Sequence, residues 1–456
     1  MTPQPLIWAD DLDAPLARCD GRSVSRRQYL ADVRALAARL PNAGPMLNLS
    51  ADRYRFAVGL GAAMLRGQNN LMPPNHTPDT VARLRSLFPS TYALLDADAP
   101  DVEMPRVRHA DAPERDDPDA TVPRIDAAAL AAQVLTSGST GAPVPHAKHW
   151  GLLVHNTRCG AQRLAQQMGR TSLAGVTLVA TVPAQHMYGF ESSVLVALLG
   201  GAAFDSGRPF FPADIAAALA RAPRPRMLVT TPFHLKTLLE SGVALPAIDL
   251  LLSATAPLSP QLAARAEAAL AAPLLEIYGC TEAGQVATRR TTEGAEWHTY
   301  DGLRISGDGA EAIVQGGHVP QPTLLADVLE VVDAQTFRLL GRSNDLINVA
   351  GKRSSLGHLN YHLNSIAGVQ DGAFWLPPDA PDGSVVRPIA FVVAPDLPAA
   401  ALHGHVLAGL RERVDAAFLP RRIVAVAALP REPGTGKLPA GALAAWADRV
   451  LAAGHG

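Results

Sequence analysis

The sequence has few cysteines, few lysines and no long apolar or basic run, and each of these scarcities excludes a class of protein. The three cysteines lie far apart without Cys-x-x-Cys spacing, so neither a disulfide framework nor a structural zinc site is expected. No uninterrupted apolar run approaches the ~18–20 residues of a membrane span, and the amino terminus lacks a signal-peptide pattern. The net charge is −2 without a basic tract, which argues against nucleic acid as a partner. These absences predict a cytoplasmic protein.

Most of the cationic residues in the chain are arginines rather than lysines. The chain has 36 arginines and four lysines, namely Lys148, Lys236, Lys352 and Lys437. A lysine that remains therefore indicates a site that needs a compact ammonium rather than a planar guanidinium. The composition is otherwise that of a globular protein, with 48% apolar and 18% charged residues. A length of 456 residues suggests two or more domains.

Alternating strand and helix patterns predict an α/β fold. Apolar residues at helical spacing predict helices over 22–41, 55–66 and 79–88. Short apolar runs that end in turns predict strands over 91–98, 176–183, 226–232, 247–255 and 273–279. Loops are expected over 68–76 and 99–124, a small β-region over 310–340, and a second domain from near Gly341.

The most informative stretch is a loop rich in hydroxyls and glycine that follows an apolar run at 131–135. Its residues are Thr136, Ser137, Gly138, Ser139, Thr140 and Gly141. Glycine permits close backbone approach and the hydroxyls supply donors, so such a loop can wrap a polyphosphate. No GxxxxGK[ST] or strand–GxGxxG–helix unit is present, which argues against a P-loop or a dinucleotide site. A Ser/Gly linker is the alternative.

This loop resembles the TSG[ST]TGxPK phosphate loop of the adenylate-forming superfamily of acyl-CoA synthetases, nonribosomal adenylation domains and luciferases. The resemblance implies that the six residues bind the phosphates of ATP or AMP. One departure is immediate, because Val144 stands where the family usually has lysine. The nearest lysine is Lys148, four residues further along, and a phosphate contact from it is one alternative.

The segment EIYGCTEAG at 276–284 resembles a second motif of the superfamily. Tyr278 ends an apolar strand and its ring can stack on adenine, while Gly279 turns the chain. Thr281 offers a hydroxyl to a phosphate, and Glu282 supplies a hard oxygen for Mg²⁺. The alternative is a strand end with a buried tyrosine and a surface glutamate. A YGxTE string that follows a TSGSTG loop by about 140 residues is hard to obtain by chance.

Two weaker motifs concern the acid and the adenine. The segment VPAQHMYGFE at 182–191 resembles a family segment that lines the acyl pocket, which implies that His186 and Gly189 bind the acid. A histidine with a structural role is the alternative. The segment SATAP at 253–257 resembles the family's turn beside adenine, where small residues such as Ala256 would let a flat ring lie against the backbone.

The segment from 325 to 353 resembles the family's ribose and hinge motifs. Asp327 matches the aspartate that holds the ribose hydroxyls through charge-assisted hydrogen bonds. A GRxxDxIxxxGxR pattern starts at Gly341, which implies a nucleotide contact for Arg342 and places Gly351 and Arg353 on the thiol-acceptor side.

Two departures fall in this hinge segment. Asn344 stands where the hinge usually has a charged residue, and His358 and Asn360 replace the acidic pair that normally follows. Both leave the phosphate chemistry intact and concern the acceptor side of the reaction.

The segment LPREPGTGKLP at 429–439 resembles the family's PRTxxGK segment, which puts Lys437 at the catalytic lysine. Its ammonium would meet the negative charge that develops between the acyl carboxylate and the α-phosphate. The alternative is an exposed loop lysine, the usual fate of this residue. Scarcity of lysine and register with five other motifs favour the catalytic role.

The six motifs occur in the family's order along the chain, and the resemblance implies both fold and reaction. The implied fold is a large N-terminal domain of layered α/β sheets with a β-subdomain, over 1–341, and a small C-terminal α+β domain over 342–456. The implied protein is an acid–thiol ligase that uses ATP and Mg²⁺ to form an acyl-adenylate from an aryl or medium-chain acid. It would then load the phosphopantetheine of coenzyme A or of an acyl carrier protein.

Two further considerations bear on the function. The strings HAKHW and QHMYGFE resemble acid ligases of aryl-polyene and xanthomonadin-type pigment pathways, which favours a carrier protein as the partner. A kinase-like or P-loop NTPase would need a Walker lysine or an HRD/DFG pair, and the sequence has neither. A non-catalytic protein of the same fold, which binds acyl-adenylate or acts as a scaffold, is the alternative function.

Overall fold

The computed structural model describes residues 2–8, 10–42, 44–73, 75–96, 102–109, 121–137, 143–342, 346–349, 352–377, 386–432 and 438–453. Within these ranges the first 149 residues form the strands β1 (Gln4–Pro5), β2 (Pro15–Cys19), β3 (Arg22–Ser25), β4 (Met46–Asn48), β5 (Asn70–Met72), β6 (Tyr92–Leu95), β7 (Arg106–Arg108), β8 (Arg124–Ile125), β9 (Leu130–Ser137) and β10 (Pro143–His149). The helices are α1 (Arg26–Ala37), α2 (Arg53–Leu65) and α3 (Pro78–Leu87). Six strands form one sheet in the order β10-β9-β5-β4-β6-β7, parallel except for the antiparallel β9–β10 hairpin.

The next 131 residues alternate strands and helices around a second sheet. The strands are β11 (Thr177–Ala180), β12 (Ala203–Asp205), β13 (Arg226–Thr230), β14 (Leu250–Ser253) and β15 (Leu274–Cys280). The helices are α4 (Trp150–Gln167), α5 (Met187–Gly189), a π-helix (Phe190–Leu195), α6 (Val196–Gly200), α7 (Pro212–Arg221), α8 (Pro232–Glu240) and α9 (Pro260–Leu270). The strands β12, β11, β13, β14 and β15 are parallel neighbours, and their apolar runs are buried.

An antiparallel region then extends this sheet and adds a small one beside it. The strands are β16 (Gly284–Arg289), β17 (Glu296–Thr299), β18 (Leu303–Ser306), β19 (Ile313–Gly316), β20 (Val319–Leu324), β21 (Asp327–Val331) and β22 (Thr336–Arg342). The larger sheet has eleven strands in the order β21-β22-β17-β16-β15-β14-β13-β11-β12-β2-β3. The smaller one has the order β18-β19-β20.

The described residues after 345 build a separate apolar core. They form β23 (Leu346–Val349), β24 (Lys352–Ser355), α10 (Leu356–Leu363), β25 (Asp371–Trp375), β26 (Ile389–Val393), α11 (Ala399–Arg411), a 3₁₀ helix (Ala416–Phe418), β27 (Arg422–Ala425) and α12 (Ala440–Ala453). Helices accompany a sheet of order β25-β26-β27, and two apolar clusters here draw only on residues from 347 to 451. Across the described ranges, each helix lacks the length or the apolarity that crossing a bilayer requires.

Local sequence explains where several helices begin. Ser25 caps α1 by accepting a hydrogen bond from the backbone N–H of Gln28, and Asp52 caps α2 in the same way. Helices α3, α7, α8 and α9 each start with proline, whose fixed φ and missing N–H suit the first helical turn.

The predicted α/β class is confirmed, and four predicted strands appear as the parallel neighbours β11, β13, β14 and β15. Three local predictions are wrong. Residues 106–108 were expected in a loop but form β7, because they pair in parallel with β6. Residues 22–25 were expected to be helical but form β3, because the helix starts only after its cap and the preceding residues pair with β2. Residues 70–72 were expected in a loop but form β5, because hydrogen bonds to both β4 and β9 outweigh the local turn signal.

Candidate active site

The predicted acid, adenine and phosphate segments follow strands that end at one edge of the eleven-stranded sheet. Strands β11, β14 and β15 run parallel, with β13 between β11 and β14. His186 follows β11, Ala256 follows β14 and Thr281 follows β15. Open α/β sheets bind ligands beyond the carboxyl ends of their strands, so the topology brings these three segments to a single ligand-binding edge.

The predicted adenosine side of this edge includes Tyr278 and Asp327, which are in contact. The Tyr278 hydroxyl donates to Oδ2 of Asp327 at 2.7 Å, and the buried ring packs against Trp297 and Phe337 at centroid distances of 5.7 and 5.3 Å. Asp327 also lies directly opposite Arg342 in the β21–β22 register. Three residues predicted to bind nucleotide are therefore neighbours, although 49 residues separate Tyr278 from Asp327 in sequence.

Backbone shape explains two residues of the neighbouring turns. Gly279 lies at a register shift between β15 and β16, where a Cβ atom would come within 2.3 Å of the Gly284 carbonyl oxygen. Only glycine fits there. In the adenine turn Ala256 is exposed, and Thr255 before it has φ +82°, a left-handed conformation that a β-branched residue rarely adopts. Strain of this kind gathers at functional sites.

The predicted phosphate loop lies in sequence between the paired strands β9 and β10. Thr136 pairs with Val144 and Ser137 pairs with Pro143, so the ends of the loop are held by antiparallel pairing. Gly138, Ser139, Thr140 and Gly141 lie outside the described residues. The pairing of β9 with β10 thus fixes the backbone on both sides of the glycine- and hydroxyl-rich segment.

Lys148, at the other end of β10, contacts the backbone of the 281–284 turn, which we call the TE segment. Its ammonium donates to the carbonyl oxygen of Thr281 and, at 3.2 Å, to that of Glu282. The described hydrogen bonds of Lys148 therefore go to backbone carbonyls, whereas Val144, at the family's usual lysine position, is exposed. The contact brings the phosphate hairpin, which belongs to the six-stranded sheet, against a motif of the eleven-stranded sheet.

The Glu282 side chain is accessible to solvent and lies near His146, an environment in which a carboxylate can bind Mg²⁺. Its side chain is 49% exposed, and Oε1 lies 3.9 Å from Nε2 of His146. The described residues contain no group of three or more His, Cys, Asp or Glu that could hold a metal by itself. Mg²⁺ is commonly bound by one or two carboxylates together with substrate phosphates and water, so a single glutamate beside a phosphate loop fits it.

A cavity of about 160 Å³ lies behind the TE segment. Its polar lining includes Lys148, Asn156, Glu191, Glu282 and His318. Burial raises the pKa of Glu191 to about 7, although the Lys148 charge and the Asn156 hydrogen bond act in the opposite direction. Burial also lowers the pKa of Lys148, and it lowers the pKa of His318 to about 4. Buried ionisable groups therefore surround the back of the predicted metal-binding turn.

The acid-side residues predicted from the sequence occupy a short helix. His186 is exposed and caps α5, where its Nδ1 accepts a hydrogen bond from the Tyr188 backbone N–H at 3.3 Å. A Cβ atom on Gly189 would meet the Pro183 carbonyl oxygen at 2.1 Å, so this glycine is required by close packing. Both residues thus have structural roles, whatever they contribute to acid binding.

The hinge and acceptor residues are described only in part. Gly341 has φ +137°, and a Cβ atom there would lie 1.9 Å from Oγ of Ser355, so the position requires glycine. Arg353 belongs to β24 and pairs with Asn348. Burial lowers the pKa of His358. Asn344, Gly351 and Lys437 lie outside the described residues.

The order and placement of these motifs define a nucleotide-binding protein of the adenylate-forming superfamily. The chain belongs to the AMP-binding enzyme family, whose model matches residues 62–328. The resemblance on which the sequence predictions rest is thereby confirmed.

Individual proteins similar to this chain agree with the family assignment. The chain is 31% identical over 295 residues to a 4-coumarate–CoA ligase of Rhodobacter capsulatus. The matched region covers 65% of this chain and 71% of that protein. A 4-coumarate–CoA ligase of Halorhodospira halophila is 31% identical over 240 residues, or 50% of this chain and 55% of that one. The solved structure of ATP-bound MatB from Rhodopseudomonas palustris superposes with a TM-score of 0.76 at 20% identity and covers 97% of both chains.

Three polar residues around the TE segment were missed by the sequence analysis. Glu191 is the one charged residue in the run GFESSVLVALL, and a carboxylate inside such a run was a usable signal, because burying it is costly without a partner. His146 and Asn156 gave no such signal. Their importance depends on contacts between elements that are distant in sequence.

Proposed function

We propose that the protein activates a carboxylic acid with ATP as an acyl-adenylate, releases pyrophosphate and then transfers the acyl group to a pantetheine thiol. The observation that carries the proposal is the contact of Lys148 with the carbonyl oxygens of Thr281 and Glu282. It sets the phosphate hairpin beside a motif whose strand also carries Tyr278. One extended nucleotide can then reach Asp327 with its ribose and the hairpin with its phosphates.

In this mechanism the protein supplies position and charge rather than a nucleophile. Asp327 accepts hydrogen bonds from the ribose hydroxyls, and Thr281 donates one to a phosphate oxygen. Glu282 would hold Mg²⁺, which supplies positive charge to the phosphate oxygens. A carboxylate oxygen of the acid attacks the α-phosphorus, and pyrophosphate leaves in line. Lys437, assigned from the resemblance, stabilises the charge that develops at this centre.

The acid is proposed to be an aryl acid and the acceptor to be coenzyme A. Support comes from the two relatives named above, which are both 4-coumarate–CoA ligases. A medium-chain acid is the second candidate for the substrate. A carrier-protein phosphopantetheine is the second candidate for the acceptor, supported by the likeness of the 146–150 and 185–191 strings to pigment-pathway ligases.

We also propose a division into an ATP- and acid-binding domain over 1–341 and a C-terminal domain over 342–456. Between the two half-reactions the second domain would rotate about residues 342–345, withdraw Lys437 and bring Gly351 and Arg353 towards the pantetheine arm. Replacing Asn344 by proline tests this step. Pyrophosphate exchange should persist while thioester formation is suppressed, and equal loss of both rates would refute the rotation.

Pyrophosphate exchange against a panel of acids tests the first half-reaction. The wild type should exchange with at least one aryl acid, and Lys437→Ala should lower the rate by about two to three orders of magnitude. Absence of exchange with every class of acid would favour the non-catalytic alternative, a binder of acyl-adenylate or a scaffold. Adding free coenzyme A or a phosphopantetheinylated carrier protein to the same reactions then identifies the acceptor.

A further inference from the structure

One face of β10 leads from the phosphate loop to the TE segment. Side chains alternate along a strand, so Val144, His146 and Lys148 project from the same face. Exposure falls along this row: Val144 is 45% exposed, the His146 side chain 18% and Lys148 8%. The row therefore starts in solvent beside the loop and ends with an ammonium buried against the TE segment.

The buried ammonium of Lys148 acts on the backbone of the TE segment. It donates to two successive carbonyl oxygens, those of Thr281 and Glu282. A lysine at a protein surface keeps its ammonium in water, so this geometry costs desolvation that the two carbonyl contacts must offset. Fixing two successive carbonyls fixes the peptide planes between them, and with these the directions in which the Thr281 hydroxyl and the Glu282 carboxylate leave the chain.

The other end of the TE segment rests on a buried carboxylate. Glu191, on the π-helix, is 3% exposed and accepts a hydrogen bond from Nδ2 of Asn156 at 2.6 Å. Gly284 lies against this pair, since a Cβ atom there would be 2.8 Å from Oε1 of Glu191 and 3.0 Å from Nδ2 of Asn156. An ammonium and a carboxylate of opposite charge thus support the two ends of the same turn from inside the protein.

We propose that Lys148 is a positioning residue for the metal-binding turn, one that holds the Glu282 carboxylate at the orientation Mg²⁺·ATP requires, with Glu191 as its buried counter-charge. This inference rests on the proposed function, in which Glu282 binds Mg²⁺. Mg²⁺ demands near-octahedral geometry, so a small displacement of its carboxylate ligand weakens binding. Residues that orient a metal ligand typically change metal affinity by about 10- to 100-fold when they are replaced.

The test compares four proteins in Mg²⁺ titrations of pyrophosphate exchange. They are the wild type, Lys148→Met, the double variant Lys148→Met/Glu191→Gln, and Lys236→Met as a control in helix α8, away from this turn. We expect the half-saturating Mg²⁺ concentration to rise about tenfold or more in Lys148→Met and to stay unchanged in Lys236→Met. The same titration of ATP binding, with no acid present, gives a readout that does not need turnover.

The double variant separates positioning from mere stability. At pH 8, where Glu191 is ionised, Lys148→Met leaves this carboxylate buried without the opposite charge that lines the same cavity and should lower the melting temperature. Removal of both charges should restore much of the melting temperature. The proposal requires the Mg²⁺ requirement of the double variant to stay raised despite that recovery. It is overturned if the requirement recovers together with the melting temperature, or if it never rises in Lys148→Met. A wild type that binds Mg²⁺·ATP but exchanges with no acid would instead count against the proposed function.

Discussion

The adenosine side and the phosphate side of the candidate site are held together by different means. On the adenosine side, Tyr278 and Asp327 meet side chain to side chain within one continuous sheet. On the phosphate side, Lys148 of the six-stranded sheet reaches across to backbone carbonyls that follow a strand of the eleven-stranded sheet. The first arrangement is built into a single sheet, while the second depends on a buried charge between two sheets.

This difference has a kinetic consequence for the proposed ligase. Contacts with adenine and ribose do not change as the α-phosphorus reacts, so their loss should raise KM for ATP and leave kcat nearly intact. Contacts with the phosphates and the metal strengthen as charge moves, so their loss should lower kcat. Substitutions on each side test whether the effects divide in this way between KM and kcat.

The largest effect is expected from Glu282→Gln on the phosphate side. The amide keeps the shape of the side chain but removes the charge that holds Mg²⁺, so kcat for pyrophosphate exchange should fall by about 100- to 1,000-fold. Glu311→Gln, at an exposed turn of the antiparallel region, is the matched control and should behave as the wild type. A rise in KM for ATP with unchanged kcat would contradict the division.

The second prediction concerns pH and the counter-charge behind the phosphate side. The pKa of Glu191 is raised by burial from 4.5 to about 7, so between these pH values the folded protein holds a proton that the unfolded chain has lost, and above pH 7 the buried carboxylate is ionised. The contribution of this proton to the free energy of unfolding is complete below about pH 4.5 and is lost as pH rises through 7. The loss amounts to at most about 3 kcal/mol. Thermal unfolding of the wild type and Glu191→Gln at pH 5 and pH 8 checks it. The wild type should lose more stability than the variant over this interval, and parallel losses would contradict the prediction.

On the adenosine side, Asp327→Asn should raise KM for ATP about tenfold, because hydrogen bonds to a charged group are worth about 1.5–3 kcal/mol. The kcat should stay within about twofold of the wild type. Tyr278→Phe removes only the hydroxyl that donates to Asp327 and should have a smaller effect of the same kind. Steady-state exchange kinetics at varied ATP measure both variants, and a predominant loss of kcat in either would break the comparison.

The smallest effect is expected at the adenine turn. Thr255 adopts φ +82°, and glycine reaches this conformation without steric cost, so Thr255→Gly should stabilise the protein by about 1 kcal/mol. Thermal unfolding measures the gain. A lower melting temperature would show that the threonine side chain makes contacts worth more than the strain.

The same comparison explains how much could be predicted from the sequence. The residues of the predicted adenosine side could be found from the sequence, because Tyr278, Asp327 and Arg342 each stand in a recognisable string, and the sheet brings these strings together. Their contact with a nucleotide stays a prediction. The parallel strands were predictable too, since their buried apolar runs are continuous in sequence. On the predicted phosphate side the glycine-rich loop and Glu282 were singled out from the sequence, but the contact of Lys148 with the TE segment was not.

The missed part has a physical cause. Lys148 was noted as a scarce residue that could contact phosphate, whereas its ammonium bonds to backbone carbonyls, which leave no mark on the sequence of the TE segment. The support from Glu191 and Asn156 likewise depends on the packing of the π-helix and α4 behind β16. Local patterns predict elements and motifs, while contacts between sheets require the assembled fold.

The most direct test of the account follows a single oxygen atom. If a carboxylate oxygen attacks the α-phosphorus, that oxygen stays with AMP when the thiol takes the acyl group. An aryl acid labelled with ¹⁸O in its carboxylate, incubated with the protein, Mg²⁺·ATP and coenzyme A, should therefore yield AMP that carries one ¹⁸O atom by mass spectrometry. Label in orthophosphate, with ADP as the nucleotide product, would contradict the account.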